Sequence, residues 1–234
     1  TSATNTSSIT FTPTGPNVVL TVTAANAKGC SVTGQRALTS ACSPVAAPAN
    51  VAVTNASSSL ITIGWTAAVG AVNYEVSRSA NGTTFSPIGT TAGTTYPDGT
   101  VAAGTAYLYK VRSIDAGANM SGYSNFDLGT AVTFTDPTLT AGSTAVAATH
   151  FSELRSAVNA VRALAGLTPA SFTDPTLNAT VLVKGVHITE IRTALDAARS
   201  ALTLPAIAYT DGTITPTSTN IKTAHVAELR AGVN

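Results

Sequence analysis

Three stretches in the second half of the chain set apolar residues three or four apart, the spacing that lines one face of an α-helix. In the first they are Phe151, Leu154, Val158, Val161 and Ala165, and in the second Ile188, Ile191, Leu195, Ala198 and Leu202. The third starts the same stripe with Val226, Leu229 and Val233. Gly166 closes the first predicted helix and Pro205 follows the second. Upstream the period falls to two, the mark of strands. Ile9-Thr10-Phe11, Val18 to Thr23 (with Leu20 and Val22 on one face) and Val32 to Leu38 are separated by turns at Pro13 to Asn17 and at Asn26 to Gly29. Further strands follow at Val51 to Val53, Ile61 to Trp65, Tyr74 to Ser79 and Gly104 to Arg112.

The helical stripes belong to a repeat. HFSELRSAVN begins at His150, HITEIRTALD at His187 and HVAELRAGVN at His225, 37 and 38 residues apart. A companion phrase keeps the period: FTDPTL from Phe134, FTDPTL from Phe172 and YTDGTI from Tyr209. Such self-similarity means that one unit cannot bury its apolar face alone and neighbours stack to do so. Asp136-Pro137 and Asp174-Pro175 read as N-caps with proline at the first helical position, so each TDPTL is expected to form one helical turn. Asp211-Gly212 keeps the cap without the proline. The aromatic ahead of each cap (Phe134, Phe172, Tyr209) is expected to plug the space between repeats. The last copy stops about one turn into its helix, so the array is expected to be open at that end.

The block from about residue 49 to 133 resembles a fibronectin type III domain. The residues that carry this are Pro48 and Val51-Ala52-Val53, the alternation Ile61, Ile63, Trp65, the run Tyr74 to Ser79, and Gly104 to Arg112 with Tyr107 at the tyrosine-corner position. Asn81-Gly82 marks a hairpin, and Tyr123-Ser124-Asn125 opens the last strand. The resemblance implies a β-sandwich with Trp65 and Tyr107 in its core. VVLTVTAANAKGC resembles the closing strands of a bacterial Ig-like or polycystic-kidney-disease-type domain, and two or three strands do not make a stable sandwich alone. The repeats resemble tandem units of secreted bacterial proteins. The expected architecture is therefore multidomain: a partial Ig-like β module at 1–43, a linker at 44–48, an all-β sandwich at 49–133, and a small α-helical repeat domain at 134–234. Its units are 134–171, 172–208 and an incomplete 209–234.

Composition narrows function. The chain has 234 residues, 44% hydrophobic and only 10% charged, with net charge +1. No basic cluster suits nucleic acid, and no apolar run of about 18 residues suits a membrane span. The first residues lack a basic and then apolar leader, so the chain is expected to start after any signal peptide. Low charge with abundant Thr and Ser points to a secreted or surface location. Cys30 and Cys42 are close enough to bridge a short loop, a disulfide that an oxidising compartment would preserve. Asn5, Asn55, Asn81, Asn119 and Asn178 begin glycosylation sequons, meaningful only where the machinery exists.

His150 with Glu153, His187 with Glu190 and His225 with Glu228 sit at i, i+3, a spacing that resembles the metal helices of di-iron bundles in reverse. One histidine per repeat and about 10 Å between equivalent positions on packed helices argue against a shared ion. The alternative is that each Glu serves free amides and the dipole at the helix start. Arg155, Arg192 and Arg230 flank the apolar stripe, and the repeated Asp136, Asp174 and Asp211 are their expected carboxylate partners; Arg192 could instead meet Asp196. All twelve are expected to maintain contacts between repeats. No catalytic motif is present, so the chain is expected to be neither an enzyme nor a cofactor binder. Three readings follow: a self-assembling filament or surface-fibre subunit that joins copies head-to-tail through half-made ends, a fragment of a surface adhesin, and a polysaccharide-binding or spacer tail of a secreted hydrolase.

Overall fold

The structure is a computed structural model that describes residues 17–25, 29, 31–39, 45–178, 181–215 and 218–234. Two compact units, Thr1–Pro44 and Val45–Asn234, divide the chain. In the first unit, β1 (Asn17–Ala25) and β2 (Ser31–Thr39) pair antiparallel from Asn17 with Thr39 to Ala25 with Ser31. Both strands lie where the alternation places them. The expected Ile9 strand, the Cys30–Cys42 bridge and the Asn5 sequon lie outside the described residues.

The second unit begins with seven strands. A three-stranded antiparallel sheet runs in the order β3 (Ala49–Ala56), β4 (Ile61–Thr66), β7 (Thr95–Asp98). A four-stranded sheet runs β6 (Ser86–Thr91), β5 (Asn73–Ser79), β8 (Ala106–Ile114), β9 (Phe126–Thr130). The fold is fibronectin type III-like, three strands facing four. Inward positions fill the space between sheets: Ile61, Ile63 and Trp65 from β4, Tyr74 and Val76 from β5, and Tyr107, Tyr109 and Val111 from β8. Tyr107 anchors its corner, its hydroxyl accepting the Ala102 amide at 3.0 Å. At the Asn81 hairpin the side-chain oxygen accepts the Thr83 and Thr84 amides, and Gly82 takes φ 75°.

Strand β8 explains how the helices attach. Its first four residues, Ala106-Tyr107-Leu108-Tyr109, are buried on both faces before the strand reverts to alternation. A strand that reads apolar continuously must be covered on both sides. Tyr107 and Tyr109 face the other sheet, while Ala106 and Leu108, with Leu128 of β9, join the helical core. The helices are α1 (Ala148–Leu164), α2 (Gly185–Ala201) and α3 (Thr223–Gly232), each packed on the other two, with α1 also against β8 and β9. Gly82 lies so close to the helix ends that a Cβ there would meet Leu164 O at 2.7 Å.

Every predicted stripe residue is buried on its helix, apart from the half-buried Ala165 at the end of the first. Helix α1 ends in a Schellman motif: Gly166, at φ 70°, and Leu167 donate to Ala163 O and Arg162 O. Helix α2 ends identically with Thr203 at φ 56° in the glycine position.

The expected TDPTL turn is not helical, and the aspartates are not N-caps. Asp136, Asp174 and Asp211 sit at φ 49°, 50° and 51°, in a bend whose geometry is left-handed, whereas an N-cap is extended. Each helix starts about a dozen residues later, after Ala147, Lys184 and Lys222.

Candidate functional site

The repeated residues converge on the bend of each repeat, and the geometry recurs three times. The amide just ahead of each helix donates to a histidine Nδ1: Ala147 to His150 at 3.2 Å, Lys184 to His187 at 3.2 Å and Lys222 to His225 at 3.3 Å. This consumes one of the amides that a helix start leaves free. With Nδ1 accepting, the ring proton sits on Nε2, which donates to the Oδ2 of Asp136, Asp174 or Asp211 at 3.1, 3.1 and 3.0 Å. All three histidines are fully buried. The left-handed backbone at each aspartate is therefore what turns its carboxylate onto the ring.

Glutamate and arginine hold the same bend from two sides. Glu153, Glu190 and Glu228 accept the amides of Thr135, Thr173 and Thr210 at 2.9–3.1 Å. The free amides that they serve thus belong to the bend, not to the helix start. Each arginine reaches the bend of another repeat. Arg155 donates to Asp174 O and Thr173 O at 2.8 and 2.6 Å, and Arg192 to Asp211 O and Thr210 O at 2.9 and 2.8 Å. Their partners are main-chain carbonyls rather than the expected carboxylates, because the forked guanidinium spans two successive C=O groups that the bend exposes. Asp196 is likewise not the partner of Arg192; its Oδ1 accepts the Tyr209 hydroxyl at 2.7 Å. The guanidinium of each arginine also lies over the aromatic of the bend it clasps: Arg155 over Phe172 at 4.8 Å and Arg192 over Tyr209 at 4.3 Å.

The third arginine corrects the expectation of an open array. Arg230 donates to Asp136 O and Thr135 O at 2.7 and 2.6 Å and lies 4.7 Å above Phe134, so the last repeat clasps the first. Three repeats form a closed ring. The residues after α3 are tied to the sandwich: Thr130 donates its amide to Asn234 Oδ1 at 3.0 Å and its hydroxyl to Val233 O.

Lysine distinguishes the copies. Lys184 and Lys222 reach Asp174 and Asp211 at 2.9 and 2.6 Å, whereas the first repeat has Ala147 there and leaves Asp136 more exposed. Hydrogen bonds from the lysine and then the histidine hold the Asp174 and Asp211 carboxyls below the usual carboxylate range. The lysines were the functional-looking residues that spacing did not disclose. Among the described residues no three His, Cys, Asp or Glu side chains gather to hold a metal ion. His and Glu of one helix turn to different partners, and the Thr135 and Thr173 hydroxyls donate to the Glu153 and Glu190 carboxylates that also hold their own amides.

Ahead of the helix starts the three loops enclose a recess of about 830 Å³ lined by Ala141, Val146, Val181, Leu182, Val183 and Ile221 among others. A smaller cleft of about 290 Å³ lies beside Arg192 and Tyr209. In the sandwich, buried Asp98 accepts from Arg78 at 2.7 Å, from the Tyr109 hydroxyl at 2.9 Å and twice from Thr100.

No family model matches the chain. An alpha-amylase from Niallia circulans is 40% identical over 82 residues, 34% of this chain and 6% of that protein. A poly(3-hydroxybutyrate) depolymerase from Delftia acidovorans is 41% identical over 75 residues, 31% of this chain and 15% of that protein. The chain thus spans a small part of the curated relatives it matches. Among solved structures, an Fn3-like protein from Clostridium thermocellum aligns over 40% of this chain and 99% of its own, with 27% identity and a TM-score of 0.36. A β-1,2-glucanase from Parabacteroides distasonis aligns over 58% of this chain and 19% of its own, with 23% identity and a TM-score of 0.37.

Proposed function

We propose that this chain is a non-catalytic module of the cell exterior whose work is mechanical, a rigid body that spaces or presents other parts of a larger protein. The observation that carries this reading is the use of the repeated side chains. His150, His187 and His225 have both ring nitrogens occupied, the three glutamates cap main-chain amides, and the three arginines clasp carbonyls. Such groups fix geometry; they are not poised to move protons to a substrate. The sandwich and ring share one apolar core through Ala106, Leu108 and Leu128, which makes a stiff unit of residues 45–234. Support also comes from the two relatives, both enzymes by name, each matched by a short stretch of this chain. Sparse charge and abundant Thr fit an extracellular location, and among the described residues no helix is long and apolar enough to cross a membrane.

The test is to incubate the full chain with starch, cellulose and poly(3-hydroxybutyrate), and to follow reducing ends and released acid. The reading expects no product above a blank; sustained turnover on any of the three would overturn it.

Assembly of copies into a filament is the second reading, favoured by the β1–β2 sheet. Two strands rarely stand alone in water, and β1 carries Val18-Val19-Leu20-Thr21-Val22 without a charge, a sequence suited to adding a further strand. Electron micrographs of purified chain that show fibres would favour this reading, and a monodisperse particle by ultracentrifugation would exclude it.

A further inference from the structure

The ring has three joints, and the one between α2 and the third bend differs from its siblings in three coupled ways. Gly212 stands where the other bends have Pro137 and Pro175, and Tyr209 where they have Phe134 and Phe172. Asp196 occupies the place of Asn159 on α1 and Asn234 beyond α3. The siblings' amides are tied to main chain, Asn159 Oδ1 accepting from Ala170 N at 2.9 Å and Asn234 Oδ1 from Thr130 N at 3.0 Å. Asp196 is left facing the joint, and the 290 Å³ cleft opens there between Thr189, Arg192, Thr193, Asp196, Tyr209 and Thr213.

The lining specifies a chemistry. An ionised carboxylate offers about four acceptor positions; on Asp196 the Tyr209 hydroxyl fills one, at 2.7 Å. Thr189 and Thr193 donate their hydroxyls to the carbonyls of Gly185 and Thr189 at 3.1 and 2.9 Å, which leaves their lone pairs as acceptors. Arg192 is 6% exposed, and its buried Nε–H has no acceptor, a condition it shares with Arg155 and Arg230 at the sibling joints. Acceptors therefore outnumber donors, and the Asp196 carboxylate lies beside Arg192, which also approaches Glu228 at 3.5 Å. A ligand rich in hydroxyl donors and without net charge matches this set. The volume lies at the foot of the range of about 300–1,000 Å³ for ligand clefts, room for one pyranose ring and not a chain.

We propose that the cleft between α2 and the third bend binds a single neutral sugar ring, with Asp196 and Thr193 accepting from its hydroxyls and Tyr209 forming one wall. The proposal goes beyond the mechanical reading and does not depend on it, since a spacer without this site still spaces.

The experiment is a ¹H–¹⁵N titration of the full chain with D-glucose, D-galactose, D-mannose and D-xylose in turn. At least one sugar is expected to give saturable shifts at the amides of Thr193, Asp196, Tyr209 and Thr213, with a dissociation constant of about 1 mM, typical of so few contacts. Gly212→Pro restores the residue that both siblings carry, and is expected to weaken binding tenfold or more while the rest of the spectrum stays in place. If that variant does not fold, Asp196→Asn, which keeps the shape and removes the charge, carries the same expectation. The absence of a saturable shift with all four sugars, or shifts undiminished in a folded variant, overturns the proposal.

Discussion

Replacing Arg230 by alanine breaks the joint that closes the ring, and the cost follows from the groups that the guanidinium holds. Two charge-assisted bonds to Asp136 O and Thr135 O disappear, as does the stacking on Phe134 and a 3.6 Å approach to Glu153. A carbonyl deprived of its donor costs about 1–3 kcal/mol when buried, and Thr135 and Asp136 are exposed enough that water replaces part of this, about 1 kcal/mol each. The missing stacking adds about 0.5–2 kcal/mol. Burial pulls the Arg230 pKa below the usual arginine value, with Glu153 and Asp136 opposing, so removing the charge returns some of its desolvation. The net expectation is a loss of about 3 kcal/mol, which for a unit of this size lowers Tm by about 6–12 °C. Arg155→Ala, at the joint between the first and second repeats, is the internal standard. Urea unfolding of the two variants beside the parent chain decides the matter. In a closed ring the two costs agree within about 1 kcal/mol; in an open array Arg230 sits on a free end and costs about 0.5 kcal/mol or less, typical of a surface site. A negligible effect of Arg230→Ala beside a large one of Arg155→Ala would refute the closure.

Two further outcomes are expected. Thr203 holds the left-handed position that Gly166 fills in α1, so Thr203→Gly relieves about 1–2 kcal/mol of strain, offset by about 0.5–1 kcal/mol of added chain entropy; a net gain of about 0.5–1 kcal/mol in urea midpoints is predicted, and a loss would contradict the Schellman assignment. In the sandwich, burial pushes the Asp98 carboxyl up, but bonds from Thr100, Arg78 and Tyr109 outweigh it and hold the pKa below the ordinary carboxylate value. A depressed folded pKa gives stability that is full above the unfolded value of about 3.9 and is lost as pH falls through the folded one. Asp98→Asn is therefore expected to be less stable at neutral pH but to lose less on acidification below pH about 4. Parallel stability profiles for the two proteins would count against this account of Asp98.

What was legible in the sequence is what short-range spacing encodes. The helices follow from stripes such as Ile188, Ile191 and Leu195, and the sandwich from Ile61, Ile63 and Trp65 with Tyr107 at its corner. The plug role of Phe172 and Tyr209 also holds, each lying under the arginine of the preceding helix. Asp-Pro misled because the pair suits an N-cap and a left-handed bend alike, and only the distant His150 or His187 selects the second. Closure was hidden because carbonyl acceptors have no side-chain identity: no residue near Thr135 announces that Arg230, far along the chain, will clasp it. The clue to the shared core was the run Ala106-Tyr107-Leu108-Tyr109, apolar on both faces of a strand that needs only one for a sandwich. Lys184 and Lys222 were not marked by any pattern because they lie in loops outside the repeated phrases.

The central claim is that ring and sandwich form one mechanical body from residue 45 to 234, and it has a direct test. The chain holds a single tryptophan, Trp65, buried in the sandwich, while helix is found among the described residues only in the ring. Thermal unfolding followed at once by Trp65 fluorescence and by helical circular dichroism is predicted to give one coincident transition. Loss of the helical signal at a lower temperature than the tryptophan signal would show that the two parts fold separately, and would contradict the account.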